Sequence, residues 1–500
     1  MNILIIGNGF DLAHKLPTRY TDFLKWVQSI EKIGGRLKWV GEIPGDKERV
    51  IGWLNDSYRP REFIVGNEDD FVRTYLDADS INRSLLISDD KFAKKFESWC
   101  MEHYIKYPPS DDMDENIRTC LSEDCLYGIH GYDALRSIEK VINDINENKI
   151  FKLDARVKDF FGVKSMMVRE RLKACNKQKM ELYSCRELEM ANLLCKKIFY
   201  LMKDNFWLLY FKKRGWNKGT WIDFEKEIAG VIRGYDLYMS KDNSNKGTAP
   251  EADEIFFEIP VSGLDYRAKI DRLEDDLNRL ILLLEIYLCE YVDDLPFSDK
   301  LHDISELKID RVISFNYTHT FSHLYQMNKF WQASVDYIHG EARSGYPMDD
   351  NNMVLGIDNF PSSIREDEDV SFIFFKKYYQ RIFKNTDCTY MNWIAKIKES
   401  AKRTKIRLKN EYPEQIPLHK FKRWEKHQIY IFGHSLDVTD KDVLRDLILN
   451  DNVKTTIFYR NKKQKRSQIA NLDKVIGHEE LVRRTGGVTE TIHFQLQRIQ

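Results

Sequence analysis

Four short clusters in this 500-residue chain combine glycine with residues able to do chemistry. They are Gly7-Asn8-Gly9-Phe10-Asp11, Phe315-Asn316-Tyr317-Thr318, His339-Gly340 and Gly433-His434-Ser435-Leu436-Asp437. Glycines without Cβ atoms let backbone N–H groups approach a phosphate closely. An asparagine amide can hold a water or a sugar hydroxyl, and a histidine can accept a proton near neutral pH. Each cluster also has a structural alternative. Gly7 to Asp11 could be a strand end that simply turns tightly, Asn316 could cap a helix, His339 could be a turn histidine bonded to backbone, and Gly433 to Asp437 could open a helix. Their common placement, each directly after a short apolar run, favours one ligand crevice.

Those runs are the elements that must position the clusters. Asn2–Ile6, Arg311–Phe315, Val335–Ile338, Gln428–Phe432 and Lys454–Tyr459 read as strands, with Asp437 to Asn450 as a crossover helix. Near-continuous β-branched runs suit a parallel sheet covered on both faces. Between the first and second strands the pattern is helical: Phe92 to Tyr107, Ala191 to Phe211, Trp221 to Arg233 and Asp265 to Tyr291. In the last of these Ile270, Leu273, Leu277, Leu280, Leu284 and Leu288 form one core-facing stripe. Lys241 to Thr248 reads as a loop. The expected layout is a first core segment at 1–45, a helical insertion at 46–300 and the rest of the core at 301–500, itself carrying a basic helical insertion at about 361–427.

Composition narrows the function classes. Apolar residues make up 42% and charged residues 31%, as in a soluble globular protein, and a net charge of −1 gives no general pull towards nucleic acid or acidic lipid. No apolar run is long enough to span a bilayer, and the chain starts directly on strand-like residues, so a cytoplasmic protein without membrane contact is expected. The eight cysteines contain no C-x-x-C pair, so neither structural zinc nor any other metal is expected, and reduced, mostly buried thiols are. Hydride transfer is disfavoured because Leu12 stands where a dinucleotide fingerprint needs its third glycine. Trp221-Ile222-Asp223-Phe224-Glu225 reads more readily as a capping turn with buried aromatics than as a crevice group. Likewise the base-rich tract Lys396 to Lys409, preceded by Lys376, Lys377, Arg381 and Lys384, reads as a solvated helix with Trp393, Ile394 and Ile397 inward.

Gly7-Asn8-Gly9-Phe10-Asp11 with Leu16-Pro17-Thr18 resembles the first motif of the AbiH family of bacterial abortive-infection proteins. The set is also similar to the sirtuin-type NAD-binding fold, in which a Gly-rich loop, an asparagine after a strand, a His-Gly pair and a G-T-S-L segment follow in order. Asn316, His339-Gly340 and Gly433-His434-Ser435-Leu436 match that order. The resemblance implies an α/β fold: a Rossmann-like, sirtuin-type parallel sheet core interrupted by a large, mainly helical insertion. It also implies NAD or a related nucleotide as substrate, in phage defence under an unnamed trigger. Without a zinc ribbon, protein deacylation is doubtful, and hydrolysis of NAD to nicotinamide and ADP-ribose is the expected reaction. Asn316 and His339 would be catalytic. Gly7, Asn8, Gly9 and Phe10 would cradle the pyrophosphate, and Asp11 and Thr18 would contact the nicotinamide ribose or order the loop. Gly433, His434 and Ser435 would meet the adenosine half, with Asp437 doing so or capping the next helix. Alternatives are a non-catalytic NAD or ADP-ribose sensor acting through the helical insertion, and a nucleic-acid-directed toxin using the basic tract. Assembly into a homo-oligomer is left open.

Overall fold

The computed structural model describes residues 1–36, 140–141, 197–213, 224–241, 266–293, 295, 299–326, 332–343, 351–358, 370–386, 388–414, 427–487 and 490–498. Several expectations fall outside them: the Phe92 to Tyr107 helix, Trp221 to Asp223, the loop beyond Lys241, and all cysteines except Cys289 and Cys388. The chain divides into two compact units, Met1–Phe23 with Asn205–Gln500, and Leu24–Asp204.

The first unit is built on a mixed α/β plan around a six-stranded, wholly parallel sheet. Its strands are β1 (Asn2–Ile6), β2 (Arg311–Ser314), β3 (Ser334–Tyr337), β4 (His427–Phe432), β5 (Val453–Tyr459) and β6 (Ile492–Leu496). Their spatial order is β3-β2-β1-β4-β5-β6. The N-terminal run therefore lies in the middle of the sheet. Alternate residues serve opposite faces. Ile3, Ile5, Ile313, Ile429, Ile431 and Ile457 enter one core, while Leu4, Ile6, Val312, Phe432 and Phe458 enter the other. Double-sided burial explains why these strands lack polar alternation, and each fully buried aliphatic side chain is worth roughly 1.5–3 kcal/mol. The last strand is not predicted by the sequence: β6 is an edge strand in which only Ile492 is buried, so no apolar run announces it.

The helices follow in chain order. α1 is Asn8–Ala13, α2 Tyr20–Gly34, α3 Phe206–Lys213, α4 Phe224–Lys241 and α5 Tyr266–Tyr287, which continues as a π-turn over Leu288–Val292. Then come α6 (His302–Ser305), α7 (Thr320–Tyr325), α8 (Lys377–Phe383), α9 (Tyr390–Glu411), α10 (Lys441–Ile448), α11 (Lys462–Ile476) and α12 (His478–Thr485). The six stripe residues of α5 and its continuation are all buried, as their spacing predicts. Asn205 caps α3 by accepting from the N–H of Leu208 at 3.2 Å, and Asp276 of α5 accepts from Phe206 N–H at 2.9 Å. In α9 Trp393, Ile394 and Ile397 are buried while Lys402, Arg403, Lys405, Arg407 and Lys409 are exposed, so the basic tract is an amphipathic helix as expected. Cys388 is exposed and Cys289 half-buried, neither in a disulfide, and the other six cysteines lie outside the described residues.

In the second unit, Gly34 at the end of α2 lies so close to Phe199 that a Cβ would stand 2.5 Å from its ring.

Candidate functional site

Strand register brings the four clusters together. Ile6 pairs with Ser314 on one side and with Phe432 on the other, and Ser314 pairs with Tyr337. Because all four strands run the same way, Gly7, Asn316, Gly433 and His339 leave the sheet at one edge, the carboxyl ends of the strands.

At that edge the two glycine loops pack onto each other. Gly9 N–H donates to Gly433 O at 2.8 Å, Gly7 N–H to Phe432 O at 3.2 Å, and Phe10 N–H to Gly7 O at 2.8 Å. Three of the four N–H groups assigned above to a pyrophosphate, those of Gly7, Gly9 and Phe10, are thus engaged inside the protein. Gly433 adopts φ +70°, and a Cβ there would stand 2.1 Å from Phe10 N. Phe10 itself is fully buried against Phe432, Phe321 and His14, a core residue. Thr18 donates its hydroxyl to Asn8 Oδ1 at 2.5 Å, which ties the segment after α1 back to the loop. Buried Asn316 donates from Nδ2 to Gly7 O at 3.1 Å, so it braces the loop across the strand ends.

Asp11 lies behind this brace. It accepts from the Thr318 hydroxyl at 2.6 Å through Oδ2, while Oδ1 is buried without a hydrogen-bond partner. Burial raises its pKa to about 6, against the lowering effect of the Thr318 and Thr320 hydroxyls. Folding therefore favours the protonated acid, and that stabilisation is lost as pH rises from about 4 to about 6. An Asp11→Asn chain, neutral throughout, should not show this loss: its urea midpoint should gain on wild type by the equivalent of ~3 kcal/mol across that window and run parallel above it.

The second half of the site is a cluster of charges. His339, on the turn after β3, has Nε2 3.4 Å from Asp440 Oδ1, and His434, after β4, has Nε2 3.2 Å from Asp440 Oδ2. Leu436 N–H donates to His434 Nδ1 at 2.9 Å, which fixes the His434 proton on Nε2, towards the carboxylate. Arg381 Nη2 lies 3.3 Å from His339 Nδ1. A guanidinium only donates, so His339 also carries its proton on Nε2. Phe315 lies between the imidazoles, edge-on to both, at 5.5 Å from His339 and 4.4 Å from His434. Lys377 Nζ is 2.8 Å from Glu225 and 4.0 Å from Asp440.

These neighbours set the protonation states. Burial, with the Lys377 charge, pushes His339 down to about 4, so its imidazole is neutral at the pH of a cell. Burial alone would raise Asp440, but His339, His434 and Lys377 hold its carboxyl well below the ordinary range. Burial likewise disfavours the Lys377 ammonium, and the carboxylates of Glu225, Asp440 and Asp358 overcome it, raising its pKa.

The structure thus brings Gly7, Asn8, Gly9, Asp11, Asn316, His339, Gly433 and His434 to one edge. Ser435 is exposed and accepts from Asp437 N–H at 3.3 Å, and Asp437 caps the turn before α10 by accepting from Thr439 N–H at 3.3 Å, the alternative weighed for it. Asp440, Lys377, Arg381 and Glu225 were missed as site residues. Asp440 falls inside the run read as a crossover helix and stands at the N-cap position of α10, yet its carboxylate makes no cap and turns to the histidines. Lys377 and Arg381 belong to the run read as a solvated base-rich stretch, but Lys377 is buried. Phe224 is a buried aromatic, stacked on Tyr20 and Phe211, while its neighbour Glu225 holds the buried lysine. Among the described residues no group of three side chains converges as metal ligands.

Fold and site define a parallel α/β protein with a buried histidine–carboxylate–lysine cluster at the strand ends. The family model described as Bacteriophage abortive infection AbiH matches residues 3–460. The chain belongs to the AbiH family, a family of phage abortive-infection defence. No curated protein and no solved structure matches it. Among the described residues no helix is long and apolar enough to cross a membrane.

Proposed function

We propose that this AbiH protein acts in the cytoplasm of infected cells by hydrolysing NAD to nicotinamide and ADP-ribose on a Rossmann-like, sirtuin-type core. The reading is carried by the convergence of Asn316, His339 and His434 at one edge of a parallel sheet with the 3-2-1-4-5-6 order of dinucleotide-binding folds. The winding of that sheet reverses between β1 and β4, where the two glycine loops meet, and open sheets bind ligands at such a point.

Cleavage of the nicotinamide–ribose bond passes through an oxocarbenium-like state and releases nicotinamide as a neutral molecule. Little acid catalysis is needed for departure. Water adds to C1′ and gives up a proton, which makes an oriented base the main requirement. His339 supplies it through Nδ1, with Nε2–H directed at Asp440. Asn316, pinned to Gly7 by its N–H, offers its carbonyl oxygen to the water or to a ribose hydroxyl. The free oxygen of Asp11 is an acceptor for a second ribose hydroxyl. Gly7, Asn8, Gly9 and Thr18 shape the bed of the dinucleotide, and Gly433, His434 and Ser435 border its adenosine half.

A binding-only sensor is the second reading, favoured by one contact: Arg381 occupies the His339 nitrogen that hydrolysis requires. Chromatography of NAD and ADP-ribose from infected cells, with and without the protein, separates the two. NAD loss with matching ADP-ribose gain is expected. Effective defence with unchanged NAD would reject hydrolysis and leave the sensor.

A further inference from the structure

The site needs a cation for an anionic ligand, and most of its obvious donors are spent. The N–H groups of Gly7, Gly9 and Phe10 are bonded to backbone carbonyls. Lys377 is held by Glu225 and Asp440. Lys384, one turn beyond Arg381, donates to Met353 O at 2.7 Å, and burial lowers its pKa to about 8. Arg381 differs from all of these. Its guanidinium makes no ion pair with a carboxylate among the described residues, and its Nε is buried without a hydrogen-bond partner. Its one polar contact is the lone pair of His339 Nδ1, at 3.3 Å. A neutral imidazole is a poor partner for a guanidinium, which binds phosphate oxygens through two parallel, charge-assisted hydrogen bonds.

We infer that Arg381 is the phosphate-recognition residue of this site and, in the unliganded chain, the lock on His339. A nucleotide phosphate draws the guanidinium to itself, and the same movement frees His339 Nδ1 to accept a proton. The inference rests on the nucleotide reading above and adds both its anion contact and its regulation. Without the phosphate the base is occupied, so a bare ribosyl compound meets a blocked site.

The test uses full-length protein labelled with 15N-histidine and inorganic pyrophosphate as the probe, at one pH, with the His339 signals assigned by His339→Gln. Pyrophosphate should bind wild type and shift the His339 Nδ1 signal towards the position it has in ligand-free Arg381→Gln. Affinity should fall at least about tenfold in Arg381→Gln and less in Arg381→Lys, which keeps the charge but not the fork. Equal affinity in wild type and both variants, or saturation of wild type without movement of the His339 signal, overturns the inference. The wild-type titration alone decides the second point should a variant fold poorly. Turnover is read separately: pyrophosphate capture that releases His339, in a protein that leaves NAD intact in infected cells, would reject hydrolysis while keeping Arg381 in this role.

Discussion

Infected cells carrying His339→Gln are expected to keep their NAD, with the rate of loss reduced by on the order of 100-fold relative to wild type at matched protein levels. The reason lies in the two ring nitrogens. Nε2–H is directed to Asp440 at 3.4 Å, and Nδ1 is the lone pair that can take a proton from water. Glutamine can still donate a hydrogen bond towards Asp440, so the carboxylate keeps a partner, but no basic nitrogen is left. Asn316→Ala should show a loss of similar size, because it removes both the brace on Gly7 and the carbonyl proposed to hold the water. Isothermal titration with ADP-ribose distinguishes chemistry from collapse of the site: the His339 variant should bind it nearly as wild type does. NAD loss at the wild-type rate in His339→Gln would remove the histidine from the mechanism.

Gly433→Ala should destabilise the chain strongly, by about 4 kcal/mol in urea unfolding. Two costs add. At φ +70° a side chain enters the left-handed region, worth roughly 1–2 kcal/mol. The added Cβ also meets backbone, 2.1 Å from Phe10 N and 2.5 Å from Gly9 C, where no flexible side chain can move aside. Gly487→Ala is the control: its φ is +72°, but nothing stands within 4 Å of a Cβ, so only the backbone cost of about 1 kcal/mol should appear. A Gly433→Ala chain no less stable than Gly487→Ala would mean that the loops do not meet as described. The apposition also ties stability to function, because the same contact closes the floor of the candidate site.

Much of the architecture is legible in the sequence because its physical cause is local. Asn2–Ile6 reads as a buried strand and is β1 residue for residue, since a β-branched run ended by glycine has few other uses. The stripe from Ile270 to Leu288 announces α5 through its helical spacing alone. Gly7-Asn8-Gly9-Phe10-Asp11 with Leu16-Pro17-Thr18 points to the AbiH family, which the match over residues 3–460 establishes. β6 escaped because an edge strand needs no apolar run: Ile492 alone is buried, and His493 and Gln495 look like loop residues.

The chemistry of the site was decided by tertiary structure. Lys377 and Arg381 stand in a base-rich run indistinguishable from a solvated helix, and only the approach of Glu225, Asp440 and His339 gives them their partners. Asp440 is one acid among several in the run read as a crossover helix until two imidazoles, delivered by separate strands, reach its two oxygens. The glycine loop reads as a phosphate cradle, yet the N–H groups of Gly7 and Gly9 meet the carbonyls of β4 and the turn after it, far away in sequence. Sequence patterns specify backbone conformation and burial, which depend on neighbouring residues. Charge state and hydrogen-bond availability depend on which distant groups the fold brings within about 4 Å, and there the fold alone decides.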